Sequence, residues 1–166
     1  MKIEHILEGI SQKLYHLTDI GNAAKILATN RFRLTPDIGT KSEIALRSSK
    51  KKVYYLSTAR NLSSDFFQKS SRMSGVIFVL DGQKLAHNYS GGPVDYWGPD
   101  FRKIDPTRHE MEDRIFSAKP YIENASEYIK EIHVLLSEKA NKQVQTSRLR
   151  KLIIEAKKKK YSCLCL

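Results

Sequence analysis

The stretch Arg108-His109-Glu110-Met111-Glu112-Asp113-Arg114-Ile115-Phe116 decides how the chain is read. Charges crowd its front, and it then runs into apolar residues. Two foldings compete for it. As a helix start it pairs Glu110 with Arg114, four residues on. As an extended segment it sends Glu110 and Glu112, two residues apart, off the same face. Two carboxylates on one cleft floor repel, which lifts one pKa, or they divide roles. A carboxylate there can also hold a sugar hydroxyl and stabilise a cationic sugar centre, as in glycosidic bond cleavage.

Downstream of this stretch, Tyr128 to Leu136 predicts a strand with Ile132, Val134 and Leu136 on one face. Lys139 to Lys160 predicts a basic helix whose apolar stripe is Val144, Leu149, Leu152, Ile153 and Ala156. On that helix Lys151 and Glu155 are spaced to pair, and Lys157 to Lys160 have no acid close by. The tail beyond it, with Cys163 and Cys165, is expected to fray. Upstream, His87 to Pro106 holds three glycines, three prolines and the single tryptophan, Trp97. That composition predicts a long loop, and Tyr89, Tyr96, Trp97 and Phe101 argue against its being disordered.

The amino-terminal half alternates short elements. Ile3 to Leu14 carries apolar residues at helical spacing. Leu14 to Thr18 reads as a strand, and Thr18 or Asp19 can cap a helix running through Ile20, Ala23, Ala24 and Leu27. Arg31 to Leu34 predicts a strand stopped by Pro36. Asp37 to Lys52 is polar and predicts a loop, with a weak helix around Glu43 to Arg47. Val53 to Ser57 predicts a strand, and Asn61 to Gln68 a short helix. Gly75 to Leu80 is the most apolar strand, which puts it at the centre. Asp81-Gly82 ends it, and a short turn or helix follows at Lys84 to Ala86. No internal repeat is visible. The succession of helices and short strands predicts an α+β fold, with residues 1–138 as the main domain and 139–166 as a basic helix and tail.

Composition limits the partners. Lysine and arginine outnumber aspartate and glutamate 29 to 18 in 166 residues, a formal charge of +11. That excess favours an anionic partner: RNA or DNA, a membrane surface or a phosphate-rich ligand. No apolar run reaches the roughly 18 residues of a membrane span, so no membrane partner is expected. Two cysteines one residue apart make too few ligands for a metal and a poor disulfide, which suggests a reducing, cytoplasmic setting. The oligomeric state is not readable from these features.

Three places carry candidate chemistry: Tyr15-His16-Leu17-Thr18, Tyr54-Tyr55-Leu56-Ser57-Thr58 and Glu110-Met111-Glu112. Their order and spacing resemble the ADP-ribosyltransferase superfamily, over roughly Leu14 to Leu136. The chain opens like the branch that uses His, Tyr and Glu. Ser57-Thr58-Ala59 and Glu110-Met111-Glu112 echo the branch that uses Ser-Thr-Ser and Glu-x-Glu. The resemblance implies a split antiparallel sheet around an NAD cleft, with an amino-terminal helix and a carboxy-terminal basic helix. It implies NAD as a substrate and no metal. By the same resemblance Glu112 supplies charge to an oxocarbenium-like transition state and Glu110 serves the acceptor. His16 and Thr18 belong to the dinucleotide site, Tyr55 stacks on nicotinamide, Ser57 lines the cleft beside it, and Arg60 meets the pyrophosphate. The function so implied is mono-ADP-ribosylation of a nucleic acid or protein, in a toxin or a phage–host conflict effector. Two alternatives stand beside it: an RNA 2′-phosphotransferase-like enzyme, and a non-catalytic nucleic-acid-binding module.

Overall fold

The computed structural model describes residues 10–36, 53–60, 62, 75–93, 112–135, 142–161 and 163–165, without the side chains of 93, 142–144 and 163–165. In chain order the elements are β1 (Lys13–Thr18), α1 (Ile20–Thr29), β2 (Arg31–Arg33), β3 (Thr35–Pro36), β4 (Tyr54–Ala59), β5 (Gly75–Asp81) and α2 (Gly82–Asn88). They continue with β6 (Ser90–Pro93), β7 (Glu112–Ser117), β8 (Tyr121–Glu123), α3 (Ala125–Tyr128), β9 (Ile129–Leu135), α4 (Lys142–Lys158) and β10 (Cys163–Cys165). The α+β class expected from the sequence is the class observed.

One sheet runs β10-β9-β5-β1-β4-β7-β6, with β3 also paired to β4. All its pairings are antiparallel except β10 on β9. A separate antiparallel pair joins β2 to β8. Within the large sheet, β1 lies along β5 for six residue pairs, from Lys13↔Asp81 to Thr18↔Val76. It meets β4 at one pair, Tyr15↔Ala59. The whole of β4 is paired on its other edge with β7, so β1 and β3 share the same edge of β4. β3 takes Tyr54 and Tyr55, β1 takes Ala59, and the edge at Ser57 lies between them.

The two faces of the sheet differ. Leu14, Val76, Phe78, Leu80, Ile132 and Val134 are buried in one cluster with Leu56 and Ile115. Ile20, Ala23, Ile26 and Leu27 of α1, and Leu152 and Ala156 of α4, close that cluster. The opposite face buries Ala59 and Ile77 beneath Tyr15, Leu17, Leu62 and Leu135. β5 is therefore covered on both sides, which is why its sequence is a continuous apolar run rather than an alternation.

Local chemistry fixes the ends of α1. Asp19 is its N-cap and accepts from the Asn22 backbone N–H at 2.9 Å. Asn30 ends it in the left-handed region, at φ 56°, a conformation asparagine tolerates. The Asn30 side chain then accepts from the Ser126 N–H at 2.8 Å and its carbonyl from the Ala125 N–H at 2.9 Å. One residue thus ties the end of α1 to the start of α3. Gly82, first in α2, is set by close approach. A Cβ there would lie 1.7 Å from the Ser11 carbonyl oxygen.

Several expectations need correction. The strand begins at Lys13, so the helical spacing from Ile3 does not extend to Leu14 as a helix; residues 1–9 lie outside the described residues. Pro36 does not stop the chain's extended course but sits in β3. His87 and Asn88 belong to α2 and Ser90–Pro93 to edge strand β6, and the rest of the predicted loop, 94–106, lies outside the described residues. Tyr128 is helical rather than the first residue of β9. The tail does not fray at Cys163–Cys165: it pairs in parallel with β9. Leu152 and Ala156 of the carboxy-terminal helix are buried in the main core. The weak helix around Glu43 to Arg47 and most of the helix at Asn61 to Gln68 lie outside the described residues, as do Tyr96, Trp97, Phe101 and Glu110. No helix among the described residues is long and apolar enough to cross a membrane.

Candidate functional site

β7 resolves the two readings of the opening stretch in favour of the strand. Glu112–Ser117 is extended and pairs along β4 from Ala59↔Glu112 to Tyr54↔Ser117. Directly opposed residues share a face, so Glu112, Arg114 and Phe116 stand with Tyr55, Ser57 and Ala59. Glu110, the helical partner expected for Arg114, lies outside the described residues. Arg114 instead directs its Nε to Glu112 Oε1 at 3.4 Å, two residues back on the same face.

Ser57 is the junction of the site. Its hydroxyl donates to Glu112 Oε1 at 2.7 Å. Its carbonyl, on the open stretch of the β4 edge, accepts from His16 Nδ1 at 2.9 Å. Residues 16, 57 and 112 thus meet through two hydrogen bonds across β1, β4 and β7. The bond to a carbonyl requires Nδ1 to carry the proton, which leaves Nε2 as the acceptor of the neutral ring. Burial of the imidazole lowers its pKa below the usual histidine value, and the bond to the Ser57 carbonyl partly offsets this. His16 is therefore neutral at pH 7. Phe32 packs edge-on against the ring, with centroids 5.7 Å apart.

Glu112 is only 3% exposed. A carboxylate withdrawn from water needs compensating donors, and the Ser57 hydroxyl and the Arg114 guanidinium supply them. Arg114 also lies over the Tyr55 ring, 4.0 Å from its centroid. One face of Tyr55 is thereby occupied.

Asp113 points the other way and builds a different structure. Its side chain is fully buried. Arg60 Nε donates to its Oδ1 at 2.8 Å, and the Ser11 N–H approaches its Oδ2 at 3.4 Å. The Thr58 hydroxyl donates to its carbonyl at 2.7 Å. Arg60, expected at a pyrophosphate, anchors a buried aspartate through its Nε. The sequence hides this because Arg60 and Asp113 are far apart in the chain and meet only once β4 pairs with β7.

His16 and Thr18 line a cleft of about 660 Å³ with Lys25 and Asn22 of α1, Arg31 and Arg33 of β2, Thr35 and Tyr121. Lys25 and Arg33 have no acidic partner among the described residues, whereas Arg31 pairs with Glu123. Neither Lys25, Arg31 nor Arg33 stood out in the sequence. The signal was present in the alternation of Arg31-Phe32-Arg33, which buries the phenylalanine and leaves both arginines exposed. Tyr55, Ser57 and Glu112 are not among the residues lining this cleft; they adjoin it through the His16–Ser57 bond. Among the described residues no group of three His, Cys, Asp or Glu side chains is placed to hold a metal ion. No protein-family model matches the chain, and no curated protein is similar to it.

Proposed function

We propose that the chain is an NAD-consuming ADP-ribosyltransferase. The observation that carries this reading is the junction at Ser57, which holds His16 on one side and Glu112 on the other. One residue from each of the three candidate places is thereby joined, at 2.9 and 2.7 Å.

The chemistry follows from what each group can do. In the reaction, the bond between nicotinamide and ribose C1′ breaks and its electron pair leaves with nicotinamide. The sugar becomes oxocarbenium-like before a lone pair of the acceptor closes on C1′ and the acceptor loses a proton. A fixed, desolvated carboxylate stabilises that developing charge more than it stabilises the neutral sugar. Glu112 has that character, held by Ser57 and Arg114. The Nε2 of neutral His16 accepts a hydrogen bond from a ribose hydroxyl. Tyr55 offers to nicotinamide the face that Arg114 does not cover, and Thr18 contributes a hydroxyl at the cleft. Lys25 and Arg33 meet the pyrophosphate from the cleft. Glu110 serves the acceptor in this reading.

The experiment is nicotinamide release from NAD, with Glu112→Gln as the comparison. The substitution keeps size and removes the charge, so kcat should fall by about 10²–10³ with NAD affinity and the fold retained. Turnover equal to wild type in that variant removes Glu112 from the mechanism. Absence of any nicotinamide release from the wild-type protein, with or without RNA, DNA or protein acceptors, refutes the reading as a whole.

A further inference from the structure

A second groove lies on the other side of α1 from the core. It holds about 480 Å³ between α1 and α4. Its apolar lining is Gly21, Ala24 and Ala28 from α1 with Ile154 from α4, and Ile154 is 54% exposed. Its cations are Lys25, Arg148 and Lys151. Lys25 lines this groove and the His16 cleft alike, so the two depressions meet at that side chain.

Two acids also line the groove, and both are engaged. Asp19 caps α1 and accepts from the Asn22 N–H and side-chain amide. Glu155 accepts from Lys158 Nζ at 2.7 Å. The expected partner of Glu155 was Lys151, and the expected state of Lys158 was unpaired. The exchange leaves Lys151 with no acidic partner among the described residues, as it does Lys25 and Arg148. A positive groove with an apolar floor therefore leads from α4 over α1 to the His16 cleft. At the cleft, Tyr121 is 39% exposed and the Arg31 guanidinium lies 5.9 Å from its ring centroid.

We infer that this groove binds single-stranded nucleic acid. Phosphates meet Lys25, Arg148 and Lys151. Unpaired bases cover the small-residue floor and Ile154, and one stacks on Tyr121. A duplex hides its base faces and leaves that floor uncovered, and an acidic peptide supplies charge without planar apolar groups. The inference needs no NAD turnover; it shares Lys25 and Tyr121 with the His16 cleft.

The test is fluorescence anisotropy of labelled oligo-dT and oligo-rU between about 50 and 200 mM salt. A matched duplex and a poly-glutamate peptide serve as competing ligands. The single strands should bind tightest, with affinity falling steeply as salt rises. Arg148→Gln with Lys151→Gln should reduce the slope of log K against log salt by about 1.4, two contacts at about 0.7 each for a single strand. Its Tm should be unchanged, because both side chains are exposed. Tyr121→Ala should weaken binding with little change in slope. The inference is overturned by tighter binding of duplex or poly-glutamate, by no binding at low salt, or by an unchanged slope in the double variant. It is likewise overturned if replacing Lys157 to Lys160 with glutamine removes the salt dependence that the groove variant keeps.

Discussion

Replacing Arg60 by methionine is expected to cost stability rather than NAD affinity. Asp113 is fully buried, and its strongest donor is Arg60 Nε at 2.8 Å. Its other contact, the Ser11 N–H, is long at 3.4 Å. Methionine preserves much of the aliphatic stem and leaves Asp113 Oδ1 buried without that donor. Breaking a buried pair in this way costs about 3–5 kcal/mol. The Arg60 side chain is 21% exposed, so water reaches the site in part, and about 3 kcal/mol is the expected loss. For a chain of this size that lowers Tm by about 6–12 °C. Adding Asp113→Leu should recover most of the loss, because the pair is then replaced by apolar contact and the Thr58 bond goes to the Asp113 backbone carbonyl, which remains. The assay is urea denaturation of both single variants and the double variant, closed as a cycle. Nicotinamide release well below Tm should keep its KM for NAD. A coupling energy under about 1 kcal/mol, with a raised KM, refutes the anchor and returns Arg60 to the dinucleotide.

Three further outcomes follow from particular contacts. Ser57→Ala removes the hydroxyl that holds Glu112; kcat should drop while the circular-dichroism spectrum is retained, and stability should fall by about 1.5–3 kcal/mol, as for a hydrogen bond to a charged group. The folded-state pKa of His16 is lowered, so the unfolded chain binds its proton first as pH falls below about 6.5. Stability is then whole above that pH and lost below it, by at most about 1.4 kcal/mol per pH unit, and His16→Asn should flatten that part of a urea-midpoint series; parallel curves for the two proteins refute this. Gly82→Ala should lower Tm although alanine is the better helix former, since its Cβ would collide with the Ser11 carbonyl; the overpacking cost is about 1–3 kcal/mol, and an unchanged or raised Tm counts against the close approach.

How much was legible in the sequence depends on the range of the physics involved. β1, α1 and β5 were readable because local pattern and capping decide them: Asp19 announces α1, and an unbroken apolar run marks β5 as central. β8 and β10 were missed because three residues carry little periodicity, and pairing with Arg31–Arg33 and with β9 is what makes them strands. For the site, His16, Ser57 and Glu112 were chosen on residue type and order, and the sheet brings them together. The Arg60–Asp113 contact was not legible because strand register chooses it, placing Thr58 opposite Asp113. Lys158 rather than Lys151 took Glu155, since i,i+3 and i,i+4 neighbours compete on a helix surface and spacing alone does not rank them.

The strand order has a consequence for how the chain acquires its shape. β1 lies between β4 and β5, β5 lies between β1 and β9, and β2 finds β8 only through pairs such as Phe32↔Ile122. Among the described strands only β3 with β4, β6 with β7 and β9 with β10 are both paired and consecutive along the chain. Among the described residues no tight hairpin joins the central strands β1, β4 and β5. Loop closure must come first and its reward later, which places folding in the slow, millisecond-to-second regime of non-local β topologies. During synthesis, β1 and α1 emerge long before Glu112–Ser117 and Ile129–Leu135 can receive them. The nascent amino-terminal half therefore presents Leu14, Ile20 and Phe32 to its surroundings until the second half arrives, and a chaperone that holds apolar segments is the natural guardian of that interval.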